Sequence, residues 1–215
     1  MLIRMKYAFA STLLMLCASF ASLAEYEIKV IDQHGQPVPN AVVAHRAYAV
    51  VPATDKIAVV DQIDKRFVPT VVAIQQGDKV RFPNSDNIRH HVYSFSPIKV
   101  FEIKLYSGSD VAPIQFEQAG IGVLGCNIHD TMVAYVYVSD GETMAVTNVD
   151  GIARFAQPLP DSVTVWHAQM SIDNLAKETF AVQQDTALQQ LQVTLIEAQS
   201  KEQKRTFGSR TFGKG

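Results

Sequence analysis

The chain has 215 residues, a formal net charge of −2 and two cysteines. Its hydrophobic share is 47%, ordinary for a globular protein and against a collagenous, wholly disordered or polytopic membrane chain. The near-neutral charge argues against nucleic-acid binding, which usually brings a basic excess, and two cysteines are too few for a disulfide-stapled scaffold.

Residues 1–24 have the three parts of a secretory signal. Arg4 and Lys6 start it, residues 8–20 are apolar and uncharged, and Ser22-Leu23-Ala24 puts small residues where a signal peptidase reads. The run is short for a membrane span, which needs about 20 apolar residues; a retained anchor is the alternative. Leu16 precedes Cys17 where a lipoprotein signal needs a small residue, which argues against lipidation. Cleavage after Ala24 takes Arg4 and Lys6 from the 19 basic residues, leaving 17 against 21 acidic ones and a charge of about −4. It also removes Cys17. An exported chain with Cys126 alone has no internal disulfide, and a free thiol in an oxidising compartment is a liability unless buried or occupied.

The mature part reads as all-β. Residues 28–31 are a short strand, Gly35-Gln36-Pro37 a turn, and 41–43 extended again. Residues 57–60, 71–74 and 80–82 are further short apolar runs, with Gly77-Asp78 as a turn before the last. Residues 91–95 and 133–138 are rich in aromatic and β-branched side chains, which suit a pleated surface. Residues 171–181 have the composition of a helix, and Leu191, Val193 and Leu195 alternate with polar neighbours at period 2. Short strands between Gly, Pro and Asp turns indicate a sandwich or barrel. From Lys201 onward come five basic residues, one acidic residue and three glycines, with Arg-Thr-Phe-Gly starting at both Arg205 and Arg210. The segment 198–215 reads as a disordered basic tail, because it has too little apolar surface to offset ordering; a docking strip for an acidic partner or lipid head groups is the sharper reading.

Chemistry gathers in Cys126-Asn127-Ile128-His129-Asp130-Thr131-Met132. A thiolate, an imidazole and a thioether lie within seven residues, and His90-His91 upstream supplies a second imidazole. Two nitrogens, a thiolate and a weak thioether are the ligand set of a blue-copper electron-transfer site. A lone buried cysteine is usually inert packing and a lone methionine gap filler; it is the combination after export that points to a metal. Gly120-Ile121-Gly122-Val123-Leu124-Gly125 matches G-x-G-x-x-G, but a dinucleotide site needs that motif to open a helix after a parallel strand. Here it runs into Cys126 in an all-β context. His34, His45 and His167 lack ligand-spaced neighbours and read as surface or turn residues.

Cys-x-x-His-x-x-Met resembles the compact ligand loop of amicyanin-type cupredoxins. Phe67-Val68-Pro69, then Gly77-Asp78-Lys79-Val80-Arg81-Phe82, then Asn84, Asp86 and His90 are similar to that family's run into its first ligand. Phe82-Pro83-Asn84-Ser85-Asp86 with His90-His91-Val92-Tyr93-Ser94-Phe95-Ser96 and Gly125-Cys126 further resembles a bacterial subgroup labelled methylamine-utilisation proteins. The resemblance implies a Greek-key β-sandwich, one copper ion, and His90, Cys126, His129 and Met132 as ligands, with Asn84 and His91 as a bracing residue and an alternative ligand. Counting from Asn84 puts His90 on the ligand position and His91 where many members have a bracing asparagine. Strand parity pulls towards His91, which shares a face with Tyr93 and Phe95. Two departures, Gly125 where many members have an aromatic residue and Thr131 where a bulky residue often shields copper, suggest a more water-accessible site.

A second resemblance lies at the two ends of the mature chain. Residues 30–43 look like the opening of a transthyretin-like, carboxypeptidase-regulatory-type sandwich, and Ala145-Val146-Thr147-Asn148-Val149-Asp150-Gly151 with Phe155 and Leu159-Pro160-Asp161 looks like its continuation. The expected organisation is a cupredoxin domain at 53–140 inserted in a discontinuous module formed by 25–52 and 141–197, since insertions succeed at exposed loop tips. The rival organisation gives the first strand to the cupredoxin and makes the residues after Asp140 a separate module. The expected function is periplasmic electron transfer by a non-enzyme, in a Gram-negative bacterium, with a redox partner protein and no stable membrane span. The alternatives are copper delivery or sensing with the same ligands, and a metal-free scaffold or glycan-binding module.

Overall fold

The computed structural model describes residues 26–46, 56–156, 158–183, 186 and 188–197. The segment 1–24 read as a secretory signal, Cys17 within it, and the segment 198–215 read as a basic tail lie outside the described residues. Among these there are seventeen strands and no helix, so the all-β expectation holds. The first strands are β1 (Tyr26–Ile31) and β2 (Val42–His45). The middle of the chain forms β3 (Ile57–Val59), β4 (Asp61–Ile63), β5 (Arg66–Val68), β6 (Val71–Gln75), β7 (Lys79–Arg81), β8 (His90–Ser94), β9 (Phe101–Tyr106), β10 (Ile114–Gln115), β11 (Gly120–Gly125) and β12 (Val133–Ser139). Then follow β13 (Thr143–Val146), β14 (Ile152–Phe155), β15 (Ser162–Trp166), β16 (Lys177–Ala181) and β17 (Leu188–Gln192).

The middle strands make a five-stranded sheet, β6-β12-β11-β8-β9, and a three-stranded sheet, β10-β7-β3, with the β4–β5 hairpin beside them. Their shared core includes Phe67, Val80, Phe82, Val92, Phe116 and Val136, with Cys126 and Met132 at one end. β12 explains itself by its period of two. Ala134, Val136 and Val138 face this core. Tyr135 and Tyr137 face the other way, into a second apolar cluster around Trp166. A central strand covered on both faces needs apolar residues on both, and β12 has them from Val133 to Val138.

The outer strands make two further sheets, β14-β1-β17 and β13-β2-β15-β16. β1 pairs antiparallel with β14 (Ile28 opposite Ala153) and parallel with β17 (Val30 opposite Leu191). β2 pairs antiparallel with β13 (Val43 opposite Ala145) and with β15 (Val43 opposite Val165). The core between these sheets holds Ile28, Val30, Val43, Phe155, Val165 and Leu191. β2 is also buried on both faces: Val43 enters that core, while Val42 and Ala44 join Tyr137 and Trp166 in the cluster against the five-stranded sheet.

Two expectations fail here. Residues 177–181 are strand β16, paired with β15 (Val163 opposite Phe180), and 171–176 are turn and irregular chain. Good helix formers lose to tertiary pairing: Phe180 packs on the outer core, and Asn174 takes a left-handed φ of 62° that interrupts any helix. His45 is not a surface residue. It is buried in β2 at 6% exposure, with Nδ1 lacking a hydrogen-bond partner and its ring 5.3 Å from that of Phe155. Burial pushes its pKa down, with Glu142 opposing the shift.

Candidate metal centre

β8 carries the first histidine pair. Its alternate residues His90, Val92 and Ser94 point inward and are fully buried. A register irregularity lies between His90 and Val92. Cys126 follows directly on β11, whose last residue, Gly125, pairs with Tyr93 of β8. The chain then turns, with the Met132 N–H donating to the His129 carbonyl at 2.9 Å, and re-enters the sheet as β12. One short turn therefore brings Cys126 and His129 to His90, with Met132 at its far end.

His90, Cys126 and His129 each place one donor atom within 4.8 Å of the others, a group able to hold a metal ion. His90 Nδ1 lies 4.0 Å from Cys126 Sγ, and the two imidazole rings are 5.0 Å apart. His90 and Cys126 are buried, as is Met132, which belongs to the same core cluster as Cys126. His129 Nδ1 is buried with no hydrogen-bond partner. An orphaned buried nitrogen is costly, and a metal ion satisfies it. The donor set, two nitrogens with a soft thiolate and a thioether nearby, fits copper.

His91 is not in this group. It lies on the other face of β8, still only 5% exposed; its Nε2 bonds Glu102 Oε1 at 2.9 Å, and its buried Nδ1 has no hydrogen-bond partner. The parity argument is answered by where the bulk of that face goes. His91, Tyr93 and Phe95 form a ladder, with ring centroids 5.8 and 5.0 Å apart, that ends in a Phe95 77% exposed. Tyr93 covers Gly125: a Cβ there would lie 2.6 Å from its ring. A ring from the neighbouring strand thus covers Gly125, and Cys126 is only 2% exposed, which corrects the expected openness on this side.

Asn84 is buried and braces the loop to His90. Its Nδ2 donates to the carbonyls of Ile88 (2.9 Å) and Tyr106 (2.8 Å), and its Oδ1 accepts from the Asp86 N–H. Asp86, which composition and spacing left without a role, lies 2.7 Å from His90 Nε2. The Lys65 N–H chiefly, and then His90, hold its carboxyl below the usual range against the opposing effect of burial. The signal for it was its position four residues before His90. The signal for Tyr93 was a glycine beside the cysteine. Gly120-x-Gly122-x-x-Gly125 is strand β11, antiparallel to β12, and opens no helix.

No family model and no curated protein matches the chain. Solved structures do. A purple cupredoxin from Nitrosopumilus maritimus is 22% identical over 38% of this chain and 99% of its own, at a TM-score of 0.35. Amicyanin from Paracoccus versutus is 21% identical over 45% of this chain and 97% of its own, at 0.35. A copper-containing nitrite reductase from Thermus scotoductus is 23% identical over 52% of this chain, which spans 28% of that enzyme, at 0.37.

Proposed function

We propose that the chain is an exported mononuclear copper protein that transfers electrons, with His90, Cys126, His129 and Met132 as the ligands. The observation that carries this is the convergence of the three donor atoms within 4.8 Å. Copper bound there would supply a one-electron couple. The protein's part is to hold donors that suit both oxidation states: imidazoles acceptable to Cu(II), and a thiolate and thioether that favour Cu(I). His90 is held on β8 and Cys126 directly after the adjoining strand β11, so little need move on redox change. Four protein donors leave no open position for a substrate, which a catalytic metal centre needs, so the reading is electron transfer to a partner protein rather than catalysis. Export is supported by the signal-like residues 1–24 and by a mature chain whose single thiol is enclosed.

The organisation proposed with it is a cupredoxin-like unit at 53–140 inserted in a transthyretin-like module formed by 25–52 and 141–197. The pairing of β1 with β14 and β17, and of β2 with β13 and β15, supports this. The test is metal analysis and visible absorption of protein produced in a periplasm. One copper per chain and an intense thiolate-to-copper absorption, lost in Cys126→Ser, are expected. A colourless, metal-free protein after copper loading would overturn the reading.

A further inference from the structure

His90 is completely buried, and its ring has one nitrogen on each side of a structural boundary. Nδ1 faces Cys126 at 4.0 Å. Nε2 faces Asp86 Oδ2 at 2.7 Å. The Asp86 side chain is itself 12% exposed, and its orientation is set from elsewhere. The two-residue turn between β4 and β5, Asp64-Lys65, has φ of 51° and 57°. Both central residues are left-handed, as a type I′ hairpin turn requires. Successive N–H groups in such a turn can converge on one acceptor, and here they do. Asp64 N–H donates to Asp86 Oδ1 at 2.8 Å and Lys65 N–H donates to Oδ2 at 2.9 Å.

A carboxylate is an acceptor only. Two fixed amides already orient it, so the group it offers to His90 is an oxygen lone pair. Neutral imidazole carries one proton on one of its two nitrogens, and the hydrogen bond at one nitrogen decides which. We propose that Asp86 is a positioning residue: anchored by the amides of the β4–β5 turn, it holds His90 as the Nε2–H tautomer and so keeps the Nδ1 lone pair free on the side of Cys126 and His129. The turn is then part of the device, because it fixes the carboxylate whether or not a metal is bound. A separate tie joins the same two segments: Asp61 accepts from the Ser85 hydroxyl at 2.7 Å and from the Ser85 N–H at 3.1 Å. That tie does not touch His90 and provides the control.

The tautomer can be read in the metal-free full chain at slightly alkaline pH, by long-range proton–nitrogen correlation of the His90 ring. The expected wild-type pattern is a protonated Nε2 and a bare Nδ1. In Asp86→Asn one oxygen becomes a donor, and the proton should redistribute towards Nδ1. Asp86→Glu, which keeps a carboxylate, should restore the pattern at least in part, and Ser85→Ala should leave it as in wild type. The proposal is overturned by a proton on Nδ1 or on both nitrogens in the wild type. It is equally overturned by an unchanged pattern in Asp86→Asn, or by a change of equal size in Ser85→Ala. A second arm rests on the copper reading. A carboxylate partner makes the imidazole a better donor, and losing such partners typically costs about 10–100-fold in metal affinity. Competition for Cu(II) should show that loss in Asp86→Asn and not in Ser85→Ala. Failure of the wild type to bind copper would sink the copper reading and leave the tautomer arm to decide this one.

Discussion

Gly125→Ala is the most discriminating substitution outside the proposed ligands. A Cβ on Gly125 would sit 2.6 Å from Tyr93 Cζ, 2.7 Å from its Oη and 3.1 Å from Cε2. All three atoms belong to one side chain, so the clash is relieved by moving Tyr93 alone. Its sideways escape is limited by His91 and Phe95, whose rings flank it at 5.8 and 5.0 Å, so the ring must lift off the sheet. Overpacking of this kind costs about 1–3 kcal/mol. Replacing a strand glycine by alanine regains about 0.5–1 kcal/mol of chain entropy, leaving a net loss of about 0–2.5 kcal/mol, centred on about 1 kcal/mol. With Tyr93→Ala already in place the clash is gone, and Gly125→Ala should stabilise by about 0.5–1 kcal/mol. The assay is a double-mutant cycle by urea denaturation of the metal-free chain, with a coupling energy of about 1–3 kcal/mol expected. Lifting Tyr93 should also speed labelling of Cys126 by a thiol reagent. An equal cost for Gly125→Ala with and without Tyr93 would refute the account of the ring as a cover for the cysteine.

Trp166→Ala should cost about 3–5 kcal/mol. Trp166 is fully buried, its ring lies 5.7 and 5.9 Å from those of Tyr135 and Tyr137 across the joint between the sheets, and its Nε1–H donates to the Asn174 carbonyl. A loss under about 1 kcal/mol by urea denaturation would contradict its role there. Stability should also fall as pH drops below the ordinary histidine value of 6.5, because burial lowers the pKa of both His45 and His167. In that window the unfolded chain binds protons that the folded histidines refuse, so unfolding becomes easier as pH falls; above 6.5 neither histidine contributes. Unfolding curves of wild type and of the His45→Gln/His167→Gln double variant at pH on either side of 6.5 should show a shallower slope in the variant. An unchanged slope would sink the argument.

Much of the candidate site was legible because it is local. Cys126, His129 and Met132 lie on one short turn, and their chemistry and spacing speak before any fold is known. The all-β character was legible for the same reason, from alternation and turn residues along β1, β6, β12 and β17. What only the tertiary structure decided depends on partners far away in the chain. That His90, and not His91, joins the donor group with Cys126 and His129 turns on which face of β8 meets the core. Local bulk misleads there, because Tyr93 and Phe95 spend their apolar area outside, over a glycine of the neighbouring strand. Asp86 gains its orientation from two amides in the β4–β5 turn, some 21 and 22 residues earlier. Residues 177–181 are a strand because β15 offers an edge. β1 finds β14 more than 120 residues on, at Ile28 opposite Ala153. Such pairings follow from burial and hydrogen bonding across the whole chain, which no short window of sequence contains.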